Sequence, residues 1–462
     1  MMNKLSYKNI ARSRGLVVLV SIMALPFLLL LTGFAVDTGR AYLVKAKLFA
    51  AVDAAGIAAA RAVANGESAA TAAATKYFNV NMPAVFQQAT RSAPVLTYSN
   101  DASGNIAINI KANAEMSHLF LSLFGYESWS VSAQAQTVRR PVDLVLVVDN
   151  TTSLRLGSIG DVTQDVVDRS KDFINNFHES FDRVSLVKYA YGAEVPVTFS
   201  ASRGFSKTDV TTEIDAFTFG SAFNPQYTNA SEGFYMALDQ IRNITNPANL
   251  KVIIFFTDGA PNTFSSNFLF TDNSSHTGSL RSGDGSTGTP RGLWQHDSIS
   301  GQLSGNGYHG RNIDDNLEEL PDYYTAHDPL ANEFQVLNPF HTRRPVSQYD
   351  PDSNSASDLY TRVNRISRNL IEDMAEAARQ EDVYVFTLGL GSSLTSSAGP
   401  DNEIGQDLLL RMANDPNMLN DPDLQADFKA DQIQGVYCHA VDEQALGPCF
   451  EEMLDVIIRL TL

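Results

Sequence analysis

A chain of 462 residues is long enough to hold more than one domain, each with a core of its own. Its composition is that of a globular protein, 44% hydrophobic, and its formal net charge of −18 repels phosphate backbones, which excludes nucleic acid as the main partner. Cys438 and Cys449 are the only cysteines, a late pair without zinc-ligand spacing.

At the N-terminus, Lys4, Lys8, Arg12 and Arg14 precede an uncharged run from Gly15 to Val36. Coiled at 1.5 Å per residue, that run makes a helix of about 33 Å, enough to cross a hydrocarbon core of about 30 Å. It also exceeds the apolar core of a cleaved signal peptide, about 7–15 residues. The basic flank comes first, so residues 1–14 are expected in the cytoplasm, 15–36 in the membrane, and the rest across it. From 37 to 80 alanine dominates and predicts a helical stalk, with the membrane helix running on to about Asn65 and Gly66 as its stop.

Residues 81–139 change character. "VLTYS", "NIAINIKA" and "WSVSAQAQT" carry strand patterns, and "MSHLFLSLFGY" reads as a short amphipathic helix. This is a small α+β segment with no recognisable chemistry. From 140 to 462 apolar strands alternate with amphipathic helices: "VDLVLVVD", "VTQDVVDRSKDFINNF", "DRVSLVKYAY", "NASEGFYMALDQIRN", "KVIIFFTDG", "LYTRVNRISRNLIEDMAEAARQ", "DVYVFTLGLG". That alternation predicts a doubly wound α/β sheet. It is broken by a Ser/Gly/Asn/Asp-rich stretch, about 263–357, too long for a structureless loop and therefore an inserted unit or a mobile lid. Its polar parts are expected to add little to the core. Phe268, Phe270, Trp294, Tyr323 and Tyr324 would anchor it on the domain or on a partner.

Two of the apolar strands end in aspartate, Asp149 and Asp258, and open α/β sheets bind ligands beyond the carboxyl ends of their strands. Thr151 and Ser153 follow Asp149 at steps of two, and Thr228 opens a helix. Few carboxylates, several hydroxyls and vacant positions suit Mg²⁺, which wants six oxygens and keeps some of its waters. The plain alternative is a polar strand rim that binds nothing. Other signals are incomplete. "GFSKT" lacks the glycines of a phosphate loop, "DPDSNSASD" from Asp350 lacks the glycine and glutamate of a calcium loop, and no G-x-S-x-G occurs. His276, His296, His309, His327 and His341 lie in the insertion without tight ligand spacing.

The motif D-x-T-x-S at Asp149, Thr151 and Ser153, with Thr228 in "YTNASEG" and Asp258 in "TDG", resembles the metal-ion-dependent adhesion site of the von Willebrand factor A domain. The resemblance implies a Rossmann-like, doubly wound sheet whose five residues hold Mg²⁺ or Mn²⁺, with a carboxylate of a protein partner completing the shell. Thr151 replaces the usual serine and keeps its hydroxyl; Thr152 stands where glycine is common, which threatens the turn. The segment "RGLVVLVSIMALPFLLLLTGFAVDTGRAYLVKAKLFAAVDAAGIAAA" is similar to the TadE/TadG-like anchor of tight-adherence (Flp) pilus-assembly proteins. TadG-like proteins join this anchor to a von Willebrand A-type domain. Val20 stands five residues after Gly15 where prepilin-like chains carry glutamate, which favours a permanent anchor over cleavage. The expected role is pilus assembly or adhesion among other pilus-assembly or envelope proteins, with a structural scaffold bearing an inactive site as the alternative. No base or nucleophile accompanies the site, so an enzyme is not expected. In an oxidising compartment Cys438 and Cys449, on a strand and the helix after it, are expected to form a disulfide.

Overall fold

The computed structural model describes residues 13–101, 105–157, 159–221, 226–282, 288–301 and 307–461. Lys4, Lys8 and Arg12 of the basic flank lie outside the described residues, as does the side chain of Arg14. The chain divides into two compact units, Met1–Arg139 and Arg140–Leu462.

In the first unit α1 (Ser13–Ala62) runs unbroken through Pro26. From Leu16 to Val36 its large apolar side chains face outward, except half-buried Leu30, and the helix is long and apolar enough to cross a membrane. Beyond Asp37 one stripe turns inward: Val44, Leu48, Ala51, Val52, Ala55 and Ala59 are fully buried. A 3₁₀ turn, Val63–Asn65, leads to Gly66, whose φ of +95° ends the helix where a side chain would be strained. The following α2 (Glu67–Asn81) packs back on α1, with Ala70 and Ala74 fully buried. The sheet holds β1 (Val85–Phe86), β2 (Ala89–Arg91), β3 (Val95–Asn100), β4 (Ile106–Ser117) and β5 (Ser128–Arg139). β4 buries every second residue, Ile106 to Met116, on the face that meets α1. The helix expected at "MSHLFLSLFGY" is not there. Met116 and Ser117 finish β4, and only Leu121–Phe124 makes a 3₁₀ turn, closed by left-handed Gly125. The reason is Asp37, whose carboxylate accepts the backbone N–H groups of Leu119, Phe120 and Leu121 and so binds donors that a longer turn would have arranged differently.

The second unit begins with β6 (Val142–Asp149), followed by the short α3 (Ser153–Leu156), α4 (Thr163–Ile174), β7 (Arg183–Tyr189), β8 (Ala193–Val197), α5 (Lys207–Asp215), α6 (Ala230–Arg242) and β9 (Leu250–Thr257). The insertion supplies β10 (Thr263–Phe270), β11 (Ser275–Arg281), β12 (Arg291–Trp294), β13 (Arg311–Asn312) and β14 (Leu317–Glu319). Then come α7 (Ala356–Gln380), β15 (Val383–Leu390), the small hairpin β16 (Ser397–Ala398) and β17 (Glu403–Ile404), α8 (Gly405–Ala413), β18 (Tyr437–Ala440) and α9 (Glu443–Thr461). The central sheet has the order β18-β15-β9-β6-β7-β8, parallel except for β8. Alternation along β6 serves two cores. Val142, Leu144, Leu146 and Val148 pack with α4, α5 and α9, while Val145 and Val147 pack with α6, α7 and α8. The sheet is therefore covered on both faces, as its unbroken apolar strands demand.

The insertion corrects the sequence reading. It is a five-stranded antiparallel sheet in the order β13-β12-β11-β10-β14. Phe264, Phe268, Phe270, Leu280, Leu293 and Tyr324 belong to the same buried cluster as Val145 and Phe255 of the central sheet. Its polar residues are buried in pairs rather than left to water: Ser265 meets Ser279 at 2.9 Å, and Ser266 meets Thr325 at 3.0 Å. Of the expected anchors, Phe268, Phe270, Trp294 and Tyr324 are buried and Tyr323 is half-buried.

Cys438 on β18 and Cys449 on α9 are joined in a disulfide with Cα atoms 5.6 Å apart. Replacing both with serine should lower stability by somewhat under about 3 kcal/mol, because the closed loop is short. A denaturant titration reads the shift. Unreduced native-source protein should take up no thiol reagent, and ready alkylation of both sulfurs would contradict the pairing.

Candidate metal centre

The sheet places its two strand-ending aspartates side by side, because β6 and β9 are adjacent and parallel. Asp149 is fully buried. Its Oδ1 accepts the Thr151 N–H at 2.8 Å, and its Oδ2 lies 2.7 Å from Thr257 Oγ1 and 3.2 Å from the Tyr189 hydroxyl. The chain then turns outward. Thr151 Oγ1 and Ser153 Oγ are 2.8 Å apart, and Ser153 Oγ donates to Asp258 Oδ1 at 2.6 Å. Four of the five expected residues are thus strung on one path of oxygens from β6 to β9. The fifth, Thr228, is buried one residue before the N-cap of α6 and faces the "TDG" turn: a Cβ placed on Gly259 would lie 3.9 Å from its Oγ1. Ser153, Thr228 and Asp258 line a cleft of about 730 Å³ together with Asn364, Arg368 and Asn402.

Thr152 does not distort this turn. It adopts ordinary right-handed angles, φ −65° and ψ −26°, so no glycine is required there. Its hydroxyl accepts the Gln226 N–H at 2.6 Å and so fastens the loop before Thr228 to the motif.

The electrostatics leave a charge to be balanced. Burial pushes the carboxyls of both Asp149 and Asp258 up, and for Asp258 the neighbouring Asp149 charge adds to it. Among the described residues, the groups acting most strongly on either carboxyl include no Lys, Arg or His. Nor do three His, Cys, Asp or Glu side chains cluster as ligands among the described residues. The site has two carboxylates and takes its other oxygens from hydroxyls, a hard all-oxygen set that fits a divalent cation better than a soft one.

Sequence reasoning missed the groups that hold these residues in place. Tyr189 comes from the end of β7, next to β6. Thr257 precedes Asp258, and its hydroxyl accepts the Gly259 N–H at 3.2 Å while it reaches Asp149. Asn262 Oδ1 accepts the Thr228 N–H at 3.0 Å, and the Asn262 N–H returns to Thr228 O at 3.1 Å. Only Thr257, adjacent to a motif aspartate, could have been suspected from the sequence.

Comparison with known proteins follows this division. Residues 143–276 match the family model for the von Willebrand factor type A domain, and residues 15–62 match that for Flp pilus-assembly TadE/G-like segments. The chain thus joins a TadE/G-like segment to a von Willebrand A-type domain. No curated protein matches it. Solved structures similar to it include the vWF domain of the type V pili tip protein Mfa5 from Porphyromonas gingivalis, at 13% identity over 71% of this chain and 98% of that one, TM-score 0.36. The PilB minor pilin from Streptococcus sanguinis matches at 14% over 82% and 80%, TM-score 0.36. Proximal thread matrix protein 1 from the mussel byssus matches at 13% over 69% and 46%, TM-score 0.32. This chain spans about half the length of that last protein.

Proposed function

We propose that the cleft is a metal-ion-dependent adhesion site through which a membrane-anchored pilus-assembly or adhesion protein captures a protein partner. Asp149, Thr151, Ser153, Thr228 and Asp258 would hold one Mg²⁺ or Mn²⁺, and an acidic side chain of the partner would enter its shell. The observation that carries this reading is the pair of buried aspartates linked through Thr151 and Ser153, with no Lys, Arg or His among the described groups that act most strongly on either carboxyl. Bound metal would supply that positive charge and an open coordination position; the chain's own part is to fix the oxygens and shape the cleft. The TadE/G-like segment supports a role in the pilus machinery, alongside other envelope proteins. In this reading α1 is a single-pass anchor in the bacterial inner membrane, with the N-terminus in the cytoplasm and the α/β unit in the periplasm. The protein catalyses nothing.

A capture experiment tests it. Full-length protein, immobilised in detergent, should retain a specific partner from envelope extract in Mg²⁺ and release it on chelation. The Asp258→Ala chain should retain none in either condition. Equal capture with and without Mg²⁺ would favour a scaffold with an inactive site.

A further inference from the structure

The loop from His118 to Glu127, between β4 and β5, takes no part in the metal centre. It carries Leu119, Phe120, Leu123, Phe124 and Tyr126 in a short space, all exposed, Leu123 at 80%. It is also pinned to α1 at one height. A Cβ on Gly33 would come within 2.5 Å of Phe120 Cβ, so the loop touches the helix backbone where only glycine fits. Just past the loop, at the start of β5, the Trp129 ring meets that of Phe34 edge to face at 6.3 Å. Asp37 accepts the backbone N–H groups of Leu119, Phe120 and Leu121 at 2.9, 3.1 and 3.0 Å, and Arg40 donates to Ser117 O at 3.3 Å.

Gly33 and Phe34 belong to the last turn of the uncharged run, which ends at Val36. At 1.5 Å per residue Gly33 lies about 6 Å inward from Asp37. Beside an α1 that spans a bilayer, that height would lie among lipid and out of reach of a soluble partner. We propose that this loop is a second membrane contact. In that view it dips alongside α1 into the headgroup–acyl boundary of the leaflet on the side of the α/β unit, and lipid covers its apolar side chains. The proposal rests on α1 being a membrane anchor. The chemistry fits the interface: aromatic side chains concentrate there, an apolar segment buries itself about 5–10 Å deep, and backbone donors carried into it must be satisfied internally, as Asp37 satisfies three. The loop would also restrain the tilt and rotation of the anchor, since one rigid contact beside a helix limits both.

The full chain has no free cysteine among its described residues, so a single cysteine can be labelled with an environment-sensitive fluorophore. Leu123→Cys, Leu25→Cys in the span and Val80→Cys, exposed on α2, are each reconstituted in phosphatidylethanolamine/phosphatidylglycerol vesicles. Nitroxide-bearing lipid should quench positions 25 and 123 at least roughly two-fold more than position 80, and iodide should quench mainly position 80. Lipid quenching at 25 but not at 123 would overturn the loop proposal and leave the anchor standing. Loss of lipid quenching at both would overturn the anchor with it. Shielding of 123 from iodide and lipid alike would assign the loop to a protein neighbour instead.

Discussion

Replacing residues 265–355 with a short Gly/Ser linker is expected to abolish cooperative folding of the α/β unit. β10 packs on both α6 and α7, and β11 packs on α7. Phe264, at the root of β10, stays in the shortened chain, but its partners Phe268, Phe270, Leu280 and Leu293 go. Burial of a large apolar side chain is worth about 1.5–3 kcal/mol, so these four alone represent roughly 6–12 kcal/mol. A whole domain is stable by about 5–15 kcal/mol. The deletion also removes Arg344, almost fully buried, which pairs with Glu372 of α7 and with Glu403. Burial works to raise the Glu372 carboxyl, yet Arg344, Arg411 and Arg343 together hold it down at about 2. Without the insertion that carboxylate loses two of its three partners, and breaking a buried pair typically costs about 3–5 kcal/mol. Circular dichroism melts and denaturant titrations of the shortened chain should show no two-state transition. A cooperative transition close to that of the parent chain would mean that the inserted sheet is peripheral after all.

Much of this was readable beforehand, for definite reasons. β6 and β9 are buried on both faces, so they appear as unbroken apolar runs, and the aspartates ending them stand out. Thr151 and Ser153 are visible because they are close in sequence to Asp149. Tyr189 and Asn262 are not, because they reach the site from the end of β7 and from the root of β10, and no local pattern marks a residue as the neighbour of a distant one. The inserted sheet is hidden in the sequence for a related reason. A stretch rich in serine looks solvated when its composition alone is read. Ser265 and Ser279 satisfy each other across β10 and β11, with the Asn229 amide 2.8 Å from Ser265 Oγ, so the polar groups are buried at little cost. Alternation in "TFSSNFLF", with Phe264, Phe268 and Phe270 at even spacing, was the one local sign of a strand. The turn after β4 is not legible locally because its geometry is set by Asp37, far away in the chain.

The second large effect concerns Asp149. Asp149→Ala should weaken divalent-cation binding by more than about 100-fold, since even residues that merely orient metal ligands are worth about 10–100-fold. The fold should survive. The change leaves the Thr151 N–H without its carboxylate acceptor, at about 1–3 kcal/mol for a buried donor left unpaired, while the Thr257 and Tyr189 hydroxyls keep Gly259 O at 3.0 Å and Phe256 O at 3.2 Å. It also removes one of two buried like charges, whose mutual repulsion the metal-free chain must bear. Asp149→Asn keeps an acceptor for those donors and should lose metal affinity with a smaller change in stability. If the asparagine variant bound metal as well as the parent, the carboxylate would not be a ligand.

The most direct test is a calorimetric titration of Mg²⁺ and Mn²⁺ into full-length wild-type protein, with the Asp149→Ala chain alongside. The account predicts saturable binding of one divalent ion per wild-type chain, lost in the variant. Absence of saturable binding to the wild type into the millimolar range, or equal binding to both chains, would contradict it.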